Sequence, residues 1–275
     1  MSNSAPQQGT ARDAAYWAKA VSTLTLGKVP PEAVNLNVSG KRLVGPMQGF
    51  GRMWQRTYRV ELRGAEVTPA EVISTWKQRF ATFWPKRGRF YGPVTGIAPG
   101  EVALLNLDIA KGLQLATGIM VLYADQESFA FMNPQGHMFA GWITFSAAAD
   151  GDTTTAQVQV LARANDPLYE LAMPLGLSRI EDTFWQQTLR ALAAHFGVKP
   201  ATVHTTTVCV DRQRQWANVR NLRHNAGIGS VLYAVATPVR LAARPLRAQR
   251  HTKSGDHDGS WSPRRSLQRH RRSRW

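Results

Sequence analysis

Five short apolar-rich runs lie between residues 102 and 164, at Val102–Leu107, Ile119–Ala124, Ser128–Met132, Met138–Phe145 and Thr154–Ala164. Turn chemistry punctuates them, including Ala124-Asp125-Gln126-Glu127, Pro134-Gln135-Gly136 and Asp150-Gly151-Asp152. Short connections between successive strands leave no room for crossover helices, so the strands are antiparallel neighbours in a meander. In the last run Ala156, Val158, Val160 and Ala162 share one face, while Thr155, Gln157, Gln159 and Arg163 share the other. This alternation predicts a sheet with one dry face and one wet face.

A further alternating strand precedes the meander. Trp54, Arg56, Tyr58, Val60 and Leu62 share a face, opposite Gln55, Thr57, Arg59 and Glu61. Thr68-Pro69-Ala70-Glu71 then reads as a capping box with proline at the first helical position. Val72, Ile73, Trp76, Phe80 and Phe83 follow at helical spacing up to Pro85. After the meander, Asp166-Pro167 starts a short helical turn, and Ser178-Arg179-Ile180-Glu181 reads as a second box. Ile180, Phe184, Trp185, Leu189, Leu192 and Phe196 form its apolar stripe, with Gly197 closing the helix. A long helix directly after a meander is expected on the dry face.

The hydrophobic fraction of 43% supports a sizeable core, and nine tryptophans either fill that core or line a cavity. A single cysteine, Cys209, excludes an intrachain disulfide and a cysteine-based zinc site. No signal-peptide pattern opens the sequence, and no run approaches the roughly 18 apolar residues of a membrane span. A cytoplasmic protein is expected, with peripheral membrane contact as an option. The net charge is +16, of which residues 240–275 hold +9. Much of the basicity therefore belongs to an appendage and says little about the core.

Four segments are expected: a partly ordered lead-in at 1–49, a domain at 50–197, a basic amphipathic helical extension at 198–244, and a disordered basic tail at 245–275. In the extension, Ile228, Val231, Leu232, Val235 and Val239 follow helical spacing, and Arg220, Arg223, Arg240 and Arg244 flank them. That pattern suits an anionic membrane surface, with nucleic acid ranked below it.

The order of strand, helix, meander and terminal helix resembles the helix-grip superfamily, which includes START lipid-transfer domains, polyketide cyclases and birch-pollen-allergen-like proteins. The stretch from Ser128 to Phe145, with Gly136-His137 and Gly141, is also similar to a bacterial family of unknown function near that superfamily, as is Ala162-Arg-Ala-Asn-Asp-Pro167. The resemblance covers residues 50 to 197. It implies an α+β fold in which a curved antiparallel sheet grips a long C-terminal helix around a cavity for apolar or amphipathic ligands. Trp54, Tyr58, Phe131, His137, Trp142, Phe145 and Trp185 are the candidate ligand-binding residues. Aromatic residues at these spacings also suit plain core. For His137 two readings stand: a ligand contact at the cavity mouth, or a ring bonded to its own turn.

The other polar candidates have structural readings. Asp166 suits an N-cap with Arg163 pairing beside it, and Glu181 and Asp182 suit the dipole of a first helical turn. Arg56, pointing inward, has either a carboxylate or phosphate partner or a place at the sheet edge. No Walker loop, nucleophile elbow, zincin or dinucleotide fingerprint occurs, and no cofactor is expected. Catalysis would need a polar cluster deep in the pocket, and the sequence displays apolar lining instead. A binder of small molecules therefore leads, an enzyme of cyclase or hydrolase type is the alternative, and an adaptor to anionic surfaces is the third reading.

Overall fold

The computed structural model describes residues 14–27, 33–93, 95–110 and 113–236. Arg240, Arg244, Val239 and the tail expected at 245–275 lie outside the described residues. The first compact unit extends to Tyr233.

Eight strands form one curved antiparallel sheet. They are β1 (Met53–Glu61), β2 (Gly88–Tyr91), β3 (Val102–Ala110), β4 (Leu113–Ala124), β5 (Ser128–Met132), β6 (Phe139–Asp150), β7 (Thr153–Ala164) and β8 (Val203–Asp211). Their order is β2-β3-β4-β5-β6-β7-β1-β8. Strands β2 to β7 form the meander, and β1 closes on β7. The strand β8, which lies past residue 197, adds to the far side of β1. Of β8 the sequence suggests only Val208–Val210 as a short strand, and β2, four residues long, is not foreseen.

Register fixes the two faces. Trp54, Arg56, Tyr58 and Val60 stand opposite Ala162, Val160, Val158 and Ala156. Gly141, Ile143 and Phe145 stand opposite Ala162, Val160 and Val158, and Phe129 and Phe131 stand opposite Phe145 and Ile143. All of these side chains share the inner face, because the strand period is two residues.

The helices α1 (Pro69–Gln78) and α2 (Phe80–Phe83) fill one end of that face. The predicted box at Thr68 forms: Glu71 N–H donates to Thr68 Oγ1 at 3.3 Å, and Thr68 N–H donates to Glu71 Oε2 at 2.8 Å. Trp76 sits edge-on to Phe129 and Phe145 at 5.9 and 5.2 Å, and Phe129 stacks on Phe145 at 4.6 Å. Burying each such ring contributes about 1.5–3 kcal/mol.

The helix α3 (Pro167–Ala172) follows β7, with Asp166 accepting from the Leu168 and Tyr169 amides. A wide turn, Met173–Leu177, leads straight into α4 (Ser178–His195). The second box therefore does not form. Ser178 is already helical, so there is no free helix start for its hydroxyl to cap. The α4 stripe is also rotated from the expected one. Glu181, Trp185, Thr188, Leu189, Leu192 and Ala193 are buried, while Ile180 is 38% exposed.

The wet face is partly covered. Leu24 and Val38 of the N-terminal segment pack on Leu104 and Met120 as a second small cluster. From β8 the chain turns back through residues 216–224. There Asn218 donates to the carbonyls of Met47 and Gly49, and Asn221 to those of Gln48 and Asn165. Arg163 is fully buried beneath this return. It does not pair with Asp166 as expected. It pairs with Asp211 at the end of β8 and donates to the carbonyls of Gly51 and Gln213, while the Asp166 carboxylate is taken by the Leu168 and Tyr169 amides and by Asn225.

Candidate functional site

A cavity of about 100 Å³ lies between the inner face and α4. It occupies the part of the dry face that the α1 aromatics leave unfilled. Leu105 and Leu107 of β3, Ile119 of β4, Phe131 of β5, Ile143 of β6 and Val160 of β7 form its floor. Ile180, Phe184 and Trp185 of α4 close it from above, and Trp84 stands at its side. The floor spans five strands because the sheet curves around the helix.

The polar side chains of the lining fall into two groups. Arg87, Asp108, Thr183 and Gln187 are exposed and mark the mouth. Asn133, His137 and Glu181 are buried. Asn133 and His137 come from the β5–β6 turn, and Glu181 comes from the first turn of α4.

Gly136 sets the turn geometry. Its φ is 92°, and a Cβ there would sit 2.0 Å from the His224 carbonyl oxygen. Only glycine lets the returning chain approach this closely. Next to it, His137 Nδ1 accepts the Phe139 amide at 3.0 Å, so Nε2 carries the ring proton. Burial pushes the imidazole pKa down to about 4, and the ring is neutral at physiological pH. The ring is thus bonded to its own turn, the second of the two sequence readings, and it also lines the cavity.

Glu181 does not simply complement the helix dipole. Its Oε2 lies 3.3 Å from Arg56 Nη1, with both side chains largely buried. Burial pushes the carboxyl up to about 7, against the pull of Arg56. Arg56 also donates to Asp182 Oδ1 at 3.1 Å and to the Ser178 carbonyl at 3.3 Å. Burial opposes its charge, but Glu181, Tyr58 and Asp182 outweigh that and raise its pKa. Tyr58 donates to the same Asp182 oxygen at 2.7 Å, and burial holds its pKa well above the usual phenol range. The inward arginine has thus found the protein's own carboxylates.

Of the candidate ligand residues, Phe131, His137 and Trp185 line the cavity. Trp54 borders a neighbouring recess of about 10 Å³, which shares Phe139, Val160 and Glu181 with the cavity. Tyr58 and Phe145 are buried in the core. Trp142 stands on the opposite face, near Gly45, because β6 alternates. Glu181, Asn133 and Trp84 were missed as lining residues. For Glu181 a signal existed, since it is spaced four, eight and eleven residues before Trp185, Leu189 and Leu192.

No family model matches the chain, and no curated protein matches it in sequence. Solved structures with some likeness include a START superfamily protein from Mycobacterium smegmatis, at 19% identity over 54% of this chain and 98% of that one, with a TM-score of 0.39. Another is Ara h 8.0201, at 15% identity over 52% and 97%, with a TM-score of 0.37. A third is the di-domain aromatase/cyclase StfQ of steffimycin biosynthesis, at 11% identity over 54% of this chain and 53% of that one, with a TM-score of 0.42. The fold itself is defined by its own topology. An eight-stranded antiparallel sheet curved around one long helix after the meander is a helix-grip arrangement.

Proposed function

We propose that the chain is a non-enzymatic binder of an apolar or amphipathic small molecule, held between the sheet and α4. The observation that carries this reading is the cavity of about 100 Å³, whose walls are aliphatic and aromatic and whose polar side chains are few. Apolar cavities of this order of size accept single-ring compounds. Phe131, His137 and Trp185 are the proposed contacts from the sequence reading, joined by Ile143 and Phe184.

An enzyme using the same cavity is the second reading, favoured by one observation. Glu181 lines the cavity with a carboxyl pKa near 7, the range of a general acid or base. Its position against Arg56 argues for a structural role instead, because a carboxylate held by a buried guanidinium gives up or takes a proton at a cost.

Contact with an anionic surface remains a separate proposal. Arg220 and Arg223 are exposed beside Trp216, Val219 and Leu222, three exposed apolar residues at a three-residue spacing in the 216–224 turn helix. No helix among the described residues is long and apolar enough to cross a membrane.

Native mass spectrometry of freshly purified protein tests the binding reading. A co-purified small molecule is expected on the wild type and should be absent from Ile143→Trp, which fills the cavity. Equal loading of both proteins would contradict a ligand in this space.

A further inference from the structure

We propose that the 3-10 helix Trp216–His224 docks the chain on an anionic phospholipid bilayer, with Trp216, Val219 and Leu222 entering the interface and Arg220 and Arg223 meeting lipid phosphates. The proposal rests on the reading of this segment as an anionic-surface contact, and it names the surface, the inserted residues and the way they are held.

A 3-10 helix has three residues per turn, so positions three apart lie above one another in a row. The nine residues from Trp216 to His224 therefore make three rows. Asn218, Asn221 and His224 form the first, and all three are half-buried. Asn218 donates to the Met47 and Gly49 carbonyls, and Asn221 to those of Gln48 and Asn165. Trp216, Val219 and Leu222 form the second row, exposed by 70%, 45% and 41%. Ala217, Arg220 and Arg223 form the third, which is exposed as well.

An amphipathic helix that serves a core turns its apolar stripe inward. Here the polarity is inverted. Asparagine amides fasten the polar row to backbone carbonyls, and the apolar row faces outward. Trp216 meets Phe50 edge-on at 5.2 Å, a contact that steadies the ring and leaves most of it open. The helix that begins at residue 226 repeats the inversion. Ala226 and Ser230 are buried, with Ser230 accepting the Ala116 amide, whereas Ile228, Val231 and Leu232 are exposed. Apolar surface held outward by polar anchors marks an interaction site.

Charge selects the partner. The basic row stands directly beside the apolar one. Burial, and then the positive charges of Lys41, Arg223 and Arg42, hold the His224 imidazole below its ordinary pKa, so further cations gather at the end of this helix. The chain then runs on to residues 240–275, which carry +9. A nucleic acid would engage the arginines but set the Trp216 row against phosphates. The interface of an anionic bilayer takes both rows, guanidinium groups at the phosphates and the Trp216 row among the upper acyl carbons.

Co-sedimentation of the full chain with vesicles tests this, comparing phosphatidylcholine alone with an equal mixture of phosphatidylcholine and phosphatidylserine. Binding is expected on the mixed vesicles and should weaken at high salt. Trp216→Ser and Leu222→Ser should each reduce it about tenfold, and Arg220→Gln combined with Arg223→Gln by a similar factor. Leu222→Ser reads the apolar row independently if the loss of Trp216 disturbs Phe50. Lipids brominated near the top of the acyl chains should quench a part of the tryptophan fluorescence that Trp216→Phe lacks. Unchanged binding in both serine variants or in the arginine pair, or equal quenching with and without Trp216, overturns the docking helix and leaves an anionic-surface contact made elsewhere on the chain. No binding to the mixed vesicles overturns the anionic-surface reading and the proposal with it. A dimer that dissociates in Trp216→Ser would assign the apolar row to a second copy. Binding to duplex DNA that falls in Trp216→Ser as far as vesicle binding does would assign it to polyanions in general. Either of these results also overturns the proposal.

Discussion

Arg56 on β1 and Glu181 on α4 meet across the core, Nη1 to Oε2 at 3.3 Å, with side chains 9% and 7% exposed. This ion pair ties the first strand of the domain to its last helix, and its Glu181 lines both the cavity and the smaller recess. The pair constrains where α4 sits on the sheet, and hence the height of the cavity.

Removing one partner leaves the other charge buried. Arg56→Met is therefore expected to destabilise the protein by about 3 kcal/mol, measured by urea unfolding. Arg56→Met combined with Glu181→Leu should recover most of that loss, since a matched apolar pair avoids the desolvation cost. A double variant as unstable as the single one would show that the pair is not the source.

Much of this architecture is legible in the sequence, and the exceptions have physical causes. The β1 alternation and the Thr68 capping box form as read, because each is a local pattern that its neighbours reinforce. The strand β8 was nearly invisible. Thr205, Thr206 and Thr207 are exposed in succession, so an edge strand with no dry face carries no alternation. The box at Ser178 failed because Met173–Leu177 feeds α4 directly. Asn133 directly precedes the Pro134-Gln135-Gly136 turn in the sequence, and only the fold shows that this residue borders a cavity. Glu181 reads as a partner for the dipole of a first helical turn, because its charge competes with its place on the buried stripe.

The pH dependence of stability follows from two buried groups with opposite signs. Glu181 rises from 4.5 to about 7 on folding. The native state therefore binds more protons than the unfolded chain in that interval, and stability falls as pH rises through it. His137 drops from 6.5 to about 4, so its contribution to stability grows as pH rises from 4 to 6.5. The two oppose each other below 6.5. In Glu181→Gln the rise from His137 is no longer opposed by Glu181. Its unfolding free energy should climb from pH 4 to 6.5 and then level off, whereas the wild type stays flatter and declines between 6.5 and 7. Parallel profiles for the two proteins would contradict the assignment.

Gly136 admits the returning chain at the turn that carries His137. Gly136→Ala combines a positive φ with a clash against the His224 carbonyl. A loss of about 3 kcal/mol is expected in thermal or chemical unfolding. Gly151→Ala has a similar positive φ but open space around it, so it should cost about 1 kcal/mol. Equal losses at both sites would mean that the contact with His224 is unimportant.

The occupancy of the cavity itself is most directly read by methyl NMR. Phenol titrated into isotope-labelled protein should shift the methyl signals of Ile119, Ile143 and Ile180, which line the cavity from β4, β6 and α4. The methyl signal of Ile228, exposed on the chain that follows β8, should stay in place. Saturable shifts at the three cavity isoleucines, abolished in Ile143→Trp at the two that remain, are the expected result. Shifts at Ile228 with none at the cavity isoleucines would place binding elsewhere and contradict a ligand site between the sheet and α4.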